Sequence, residues 1–389
     1  MNTIASKVKT AFLENFPSPP HLYYSPGRIN LIGEHIDYND GFVMPAAIDK
    51  GIYYAVALNN TDILNFYSVD FDEKFSIDIN DVRKINGWKN YVLSVVNEFK
   101  LTDLNIKGFD CVFGGDIANG AGISSSAAVE GGIAFAVNEL LHFELSRKEL
   151  ALLCQRAEHN YPGVMCGIMD QYANLLGKKD HVLLLDCRSL EHQYFPLYLE
   201  GNKLILINSK VHHSLASSEY NVRRKQCEIG LEILKEKMKI SSFRDVNNVD
   251  DILPYKDNMG DKVYNRCKYV VEEINRTQQA AKFLQQNNLM DFGELMFATH
   301  EGLSMLYEVS CNELDFLVEL AKQNPGVIGS RLMGGGFGGC TINIVKEQAV
   351  EKFLSDTRDA YQKKFQIDTE IYEINVVDGT HELLNYTAK

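Results

Sequence analysis

The sequence predicts an α+β protein of two domains, on three observations. Its 389 residues exceed what one hydrophobic core usually organises. Strand-like and helix-like segments are mixed without the strict alternation of a doubly wound sheet. Strand-like runs crowd the beginning and long helical runs dominate the second half, so the division is expected near residue 195, giving domains 1–195 and 196–389.

The elements follow in order. Ile4, Val8, Phe12 and Phe16 recur at helical spacing. Pro17, Pro19 and Pro20 end that helix, because proline lacks an N–H and restricts the residue before it. Runs at 22–24, 29–32, 52–58 and 63–69 are rich in aromatic and β-branched residues and read as strands. Helices are expected near 90–99, 124–141 and 146–159, the last opened by a capping box of Ser146 and Glu149. Residues 182–186 and 204–208 read as strands. The second half carries helical patterns near 217–238, 262–286 and 289–307 and strands at 341–345 and 370–377. No internal repeat or low-complexity segment interrupts the chain.

Composition narrows the function. Lys and Arg number 39 against 52 Asp and Glu, a net charge of -13, with no basic block, so nucleic acid and anionic membrane surfaces are not expected partners. A nest of backbone N–H groups can still bind an anion on an acidic protein. The 8 cysteines are scattered without a CxxC pair, which argues against zinc and a disulfide framework and suits a reducing cytoplasm. The opening residues lack the apolar core of a signal peptide, and no 18-residue apolar run spans a membrane.

Four stretches carry chemistry. In GRINLIGEHIDYNDG (27–41), Glu34, His35 and Asp37 crowd one turn, as a solvated connection or a polar site would. In FGGDIANGAGISSSAAVEGG (113–132), a strand-like run leads through Gly120 and Gly122 to three serines and a helix. Glycines admit an anion to the backbone and the helix start offers free N–H groups, which is what a phosphate cradle requires. The stretch lacks the lysine of a Walker loop, and Ser125 stands where a dinucleotide fingerprint needs its third glycine. One serine would suffice for capping; a phosphate and its metal could use all three. GSRLMGGGFGGC (329–340) holds five glycines in six positions, a tight bend or the second wall of a pocket. In RAEHNYPGVMCGIMDQYANLLG (156–177), Asp170 lies in an apolar run where an acid needs a partner or a purpose, helix capping being the simplest.

PGRINLIGEHIDYNDG, GAGISSSAA, CGIMDQ and the late GGGFGG, in this order and at these separations, resemble the signature of the galactokinases in the GHMP small-molecule kinase superfamily. SSEYNVRRKQC (217–227) and YEVSCNELD (307–315) are similar to galactokinase segments too, so the likeness runs from about residue 25 to the end. It implies an N-terminal domain like ribosomal protein S5 domain 2, a ferredoxin-like C-terminal domain and an active site between them. The implied reaction converts ATP and α-D-galactose into α-D-galactose 1-phosphate and ADP.

Carried over by position, the resemblance makes Asp170 the catalytic aspartate and Arg28 its cationic partner. Glu34, His35, Ile36, Asp37, Gly167 and Tyr220 would contact galactose. Gly120, Ala121, Gly122, Ile123, Ser124, Ser125 and Ser126 would form the ATP phosphate loop, with Ser68 and Trp88 as further nucleotide contacts. Ser126 and Glu158 would hold the magnesium that comes with ATP. A monomer in the cytoplasm is expected. Three departures stand out: Met305 and Leu306 replace two acids common in the family, Ile123 replaces a leucine, and Ile36 a threonine. The rival readings are a silent galactose- and ATP-sensing regulator on the same scaffold, and a kinase for a related sugar such as N-acetylgalactosamine or arabinose. A nicotinamide dehydrogenase is disfavoured by the glycine spacing. His212 and His213, adjacent on a strand, would face opposite ways and are read as structural.

Overall fold

The computed structural model describes residues 3–102, 104–117, 122–211 and 216–384. Helix α1 (Thr3–Asn15) buries Ala5, Val8 and Phe12 and stops before Pro17. The two strand-like runs at 22–24 and 29–32 form one strand, β1 (His21–Asn30), whose pairing register shifts between Pro26 and Arg28. That bulge is why the pattern broke there.

After the loop 31–41 come β2 (Phe42–Val43), β3 (Pro45–Leu58), β4 (Ile63–Ser68) and β5 (Glu73–Asp78). They lead to α2 (Lys89–Leu101), β6 (Phe109–Gly115), α3 (Ser125–Leu141), α4 (Arg147–Asn160) and α5 (Met169–Leu176). A hairpin of β7 (His181–Asp186) and β8 (His192–Pro196) follows. The chain then enters β9 (Asn202–Asn208), α6 (Ala216–Lys237), α7 (Lys256–Gln285), α8 (Leu289–Met305) and α9 (Asn312–Gln323). It closes with β10 (Val327–Leu332), β11 (Cys340–Lys346), α10 (Val350–Phe365), β12 (Glu370–Ile374) and β13 (His381–Glu382).

Three sheets result among the described residues: β13-β1-β3-β6-β4-β5, β10-β11-β9-β12 and β2-β7-β8. Among the described residues only the β4–β6 pair is parallel, which fits an α+β chain. Sequence periodicity missed β5, β8 and β10, and the helices α9 and α10. β5 and β8 carry polar residues on an exposed face, and α9 and α10 set narrow apolar stripes among charges. The helix expected from 262 begins at Lys256 but is broken at Gly260 (φ 72, ψ 160), so regular helix starts close to the expected place. The strand expected through 377 ends at Ile374, and Val376 bridges Ile48 instead.

The capping box of α4 is formed: the Ser146 hydroxyl accepts from the Glu149 N–H, and the Ser146 N–H donates to the Glu149 carboxylate at 2.8 Å. Helix α3 is apolar on nearly every side because it is packed on nearly every side. Gly131 lets α5 come in: a β-carbon there would lie 1.9 Å from Asn174 Oδ1. Ile29, Leu31 and Ile32 pack in one core with Leu204, Leu206 and Ile342, so the root of the 31–41 loop rests on the second-half sheet. The C-terminal segment returns to the first sheet, where Thr380 hydrogen-bonds Ser25 and Asn174 behind α5.

Candidate active site

Two cavities meet at the start of α3. The smaller, about 130 Å³, is lined by Arg28, Glu34, His35, Asp37, Glu158, Gly167, Asp170, Tyr220, Gly334 and Gly335, with Val164, Cys166 and Met169. The larger, about 510 Å³, is lined by Ser68, Trp88, Tyr91, Phe113, Ser125 and Ser126 among others. The serine run is the partition. Ser124 donates to Asp170 on the small side, and Ser126 on the large side hydrogen-bonds Glu158.

Asp170 occupies the first turn of α5, where the unpaired N–H groups and the positive dipole end favour a carboxylate. Arg28, from the bulged end of β1, grips it in a fork, Nε to Oδ1 at 2.8 Å and Nη2 to Oδ2 at 2.9 Å. Its third nitrogen donates to the Gly122 carbonyl at 2.6 Å, tying the fork to the glycine turn. Burial alone would lower the Arg28 pKa, but the charges of Asp170, Glu34 and Asp37 raise it overall. Ser124 has a left-handed backbone (φ 60), an uncommon conformation for a non-glycine residue, and from it reaches Asp170.

The loop 31–41 supplies the opposite wall. Glu34 is 1% exposed, and its Oε1 accepts from Arg331 at 3.1 Å and from the Gly334 N–H at 2.8 Å. The glycine run is therefore the turn of the β10–β11 hairpin, passing through the left-handed region at Gly334, Gly336, Gly338 and Gly339. Gly334 and Gly335 bring its backbone to the small cavity. Asp37 is buried, and burial, then the charges of Asp170 and Glu34, push its pKa up to about 7 against the pull of the Tyr38 and Met169 N–H groups. Gly167 is what admits it: a β-carbon at 167 would lie 1.9 Å from Asp37 Oδ2. Gly167→Ala is expected to displace that carboxylate and weaken ligand binding in the small cavity roughly tenfold or more, since overpacking costs about 1–3 kcal/mol. Titration calorimetry checks this.

His35 behaves differently from its expected role of gripping a sugar hydroxyl. Its ring lines the cavity, yet both nitrogens are engaged by protein: Nε2 with the Gly335 carbonyl at 3.2 Å and Nδ1 with the Tyr38 hydroxyl at 2.7 Å. Burial holds its pKa down near 4, so the ring is neutral. With Nε2–H donating to the carbonyl, Nδ1 accepts from Tyr38, which in turn accepts from Tyr307 at 2.9 Å. Two further expected contacts also lie off the cavities. Ile36 packs in the core against Gly41, and Ile123 is buried with its carbonyl accepting the Arg28 N–H at 3.1 Å. Gly120 and Ala121, like His212 and His213, lie outside the described residues.

On the nucleotide-sized side, Trp88 presents its ring to the cavity, its Nε1 held by Glu73 at 2.8 Å and its plane parallel to Phe71. Ser68 is buried with its hydroxyl unpartnered, and it lines the same cavity. Met305 is exposed and Leu306 lies on the flank of the core, so neither replaces an acid at the cavity wall.

Glu158 projects from α4 between the cavities. Burial, then the charge of Asp170, raises its pKa to about 7, while hydrogen bonds from Ser126 and Cys166 pull it down. A buried carboxylate beside a hydroxyl suits a divalent cation. No group of three or more His, Cys, Asp or Glu side chains is placed to hold a metal among the described residues. The donors fit an ion that takes most of its ligands from phosphate and water.

Sequence reasoning passed over several residues of this site. Arg331 sits between the glycine run and Glu34, Tyr38 and Tyr307 anchor His35, and Gln171 Nε2 donates to Glu158 at 2.9 Å. A single arginine in an otherwise apolar strand-like run (VIGSRL) was the available signal for the first.

The chain is similar to known galactokinases and GHMP kinases. The galactokinase galactose-binding signature matches residues 10–58, the GHMP kinase N-terminal domain residues 90–178 and the GHMP kinase C-terminal domain residues 280–363. A galactokinase of Clostridium acetobutylicum is 39% identical over 98% of this chain and 99% of its own, and one of Thermosipho africanus is 39% identical over 92% and 99%. The crystal structure of Lactococcus lactis galactokinase complexed with galactose superposes with a TM-score of 0.95 at 33% identity, covering 98% of this chain and all of that one. Mevalonate kinase of Methanococcus jannaschii shares the fold, with a TM-score of 0.67 at 20% identity.

Proposed function

The chain belongs to the galactokinase family of the GHMP kinases, and we propose that its two cavities seat galactose and ATP on either side of the serine run. It is an ATP-dependent sugar kinase that phosphorylates the anomeric hydroxyl of α-D-galactose. The single observation that carries the arrangement is Asp170, clamped by Arg28 in the small cavity and hydrogen-bonded to a serine of the loop that borders the large one.

Galactose would lie in the small cavity with hydroxyls donating to Glu34 and Asp37, whose charge-assisted acceptance gives specificity. Tyr220 closes one side and His35 packs as a neutral ring. ATP would place its adenine by Trp88 and Ser68 and its phosphates along the turn leading into α3, whose N-terminus favours anions. The anomeric oxygen attacks the γ-phosphorus; the new O–P bond forms as the bond to the β-phosphate oxygen breaks, and ADP leaves with that electron pair. The attacking hydroxyl orients on Asp170, which accepts its proton. Arg28 and Ser124 already donate to this carboxylate, and proton transfer belongs late in a loose transition state. Arg28 faces the charge that the transferring group carries.

Ser126 and Glu158 would hold magnesium, which when bound offsets phosphate charge. We place the division between domains in the turn joining β8 to β9, close to residue 195, and the protein in the cytoplasm as a monomer. Its eight cysteines are unpaired, and no helix among the described residues is long and apolar enough to cross a membrane.

The test is ADP release from ATP and magnesium with a panel of sugars. Galactose should give the highest kcat/KM; no ADP above background would leave the sensing reading standing, and a better rate with N-acetylgalactosamine would reassign the acceptor.

The pH dependence follows from two raised carboxyls. Galactose and the metal both need ionised acceptors, so kcat/KM is expected to fall as pH drops through about 7, where Asp37 and Glu158, each raised by burial and then by the charge of Asp170, take up protons. Stability runs the other way. A folded-state pKa of about 7 against the ordinary 3.8 means the unfolded chain releases the Asp37 proton first, so the free protein loses stability as pH rises from about 4 to about 7. Asp37→Asn should therefore melt above wild type at pH 8, with the gap closing toward pH 4. A flat profile of either quantity would count against the assignment.

A further inference from the structure

Glu130 is a buried acid beside this site that the mechanism leaves unused. It lies one helical turn beyond Ser126 on the same face of α3, fully buried. Neither of its carboxyl oxygens has a hydrogen-bond partner, and the Oε1 of buried Gln171 lacks one as well. Gln171 is the side chain within hydrogen-bond reach of Glu130, and a bond donated from it would pull the acid's pKa down. Its amide nitrogen is committed to Glu158 Oε2 at 2.9 Å, so the amide turns an acceptor toward an acid.

Three buried acceptors brought together are strongly unfavourable unless a proton lies between them. Only Glu130 can supply it. We propose that Glu130 is a positioning residue: as a neutral acid it donates to Gln171 Oε1, fixing the amide so that its nitrogen holds the Glu158 carboxylate for the metal. The chain Glu130, Gln171, Glu158 thereby runs from α3 through α5 to α4, the three helices that meet behind the nucleotide phosphates. Burial, then the charge of Glu158, push the Glu130 pKa well above the usual carboxylate range, with Asp170 adding to the rise against the pull of Gln171.

The amide orientation is that of the hydrogen bond from Gln171 Nε2 to Glu158 Oε2; the reverse would set Oε1 against the Glu158 carboxyl. This inference rests on Glu158 being a ligand of the nucleotide's metal, and its test separates the two. Mn²⁺ serves as a paramagnetic stand-in for magnesium, and binding of Mn²⁺·ADP is read by electron paramagnetic resonance beside calorimetry of metal-free ADP and of galactose.

Glu130→Leu should weaken Mn²⁺·ADP binding about ten- to a hundredfold, the usual loss when a ligand's supporting hydrogen bond is removed, with metal-free ADP and galactose affinities unchanged. Glu130→Gln, whose amide can donate to the same oxygen, should stay within about threefold of wild type. Gln171→Met, which removes the amide at similar volume, should repeat the loss. A Gln substitution as damaging as Leu, or a Gln171→Met protein that binds Mn²⁺·ADP like wild type, would overturn the proposal. If Glu158→Gln leaves Mn²⁺·ADP binding intact, the ligand assignment itself has failed.

Discussion

Asp170→Asn should lower kcat by about two to four decades while galactose still binds. The asparagine keeps the volume and one acceptor oxygen, but it replaces the charged half of the fork to Arg28 with an amide that cannot accept from Nε and Nη2 together. It also sets an N–H₂ where Ser124 or the sugar hydroxyl donates, so the incoming oxygen loses its acceptor. Arg28 is then buried without its nearest counter-charge, which shifts its guanidinium toward Glu34 and Asp37. Single-turnover measurements separate the chemical step from product release, and calorimetry gives galactose affinity. Unchanged turnover would remove Asp170 from the reaction, and loss of galactose binding with turnover per bound sugar retained would make it a binding residue only.

Arg331→Met should be the most damaging change to stability. Arg331 is wholly buried and donates to the carbonyls of Asn30, Leu31 and Leu332 and to Glu34. Removing it leaves the Glu34 carboxylate buried with only the Gly334 N–H, together with unpaired carbonyls. Breaking one partner of such a pair costs about 3–5 kcal/mol. The double variant Glu34→Gln with Arg331→Met should recover part of that loss, because the stranded charge is gone, yet remain deficient in galactose affinity. Denaturant unfolding of the four proteins in this cycle gives the coupling directly. Additive losses would mean that Arg331 supports only the backbone.

The order of elements was legible wherever a segment had one buried face. The α4 capping box and the helix before Pro17 depend on residues within a few positions of each other, and both formed as read. β1 reads as two strands in the sequence because its bulge at 26–28 breaks the alternation, although Arg28, which reaches Asp170, follows that bulge. The candidate site residues stand out as motifs because phosphate and sugar chemistry restrict which side chains can serve such a site.

What could not be read was the partner of each polar group, since those partners come from hundreds of residues away. Arg331 reaches Glu34 across 297 positions and the Gly335 carbonyl reaches His35 across 300. His35 illustrates the consequence. Its place beside two acids suggested a ligand contact, whereas the fold spends both its nitrogens on the protein and uses the ring as wall. Gln171 escaped notice for a related reason, as a polar residue next to a candidate catalytic acid is masked by its neighbour until distances are known, and Glu130 lay hidden in an apolar helix.

The central claim is that galactose and ATP meet at Asp170 from opposite sides of the serine run. A crystal structure with galactose, magnesium and a non-hydrolysable ATP analogue tests it most directly. The anomeric oxygen should lie within hydrogen-bond reach of the Asp170 carboxylate and in line with the γ-phosphorus, with adenine beside Trp88. A sugar presenting its sixth-carbon hydroxyl to Asp170, or an analogue whose terminal phosphate lies away from Ser124–126, would contradict it.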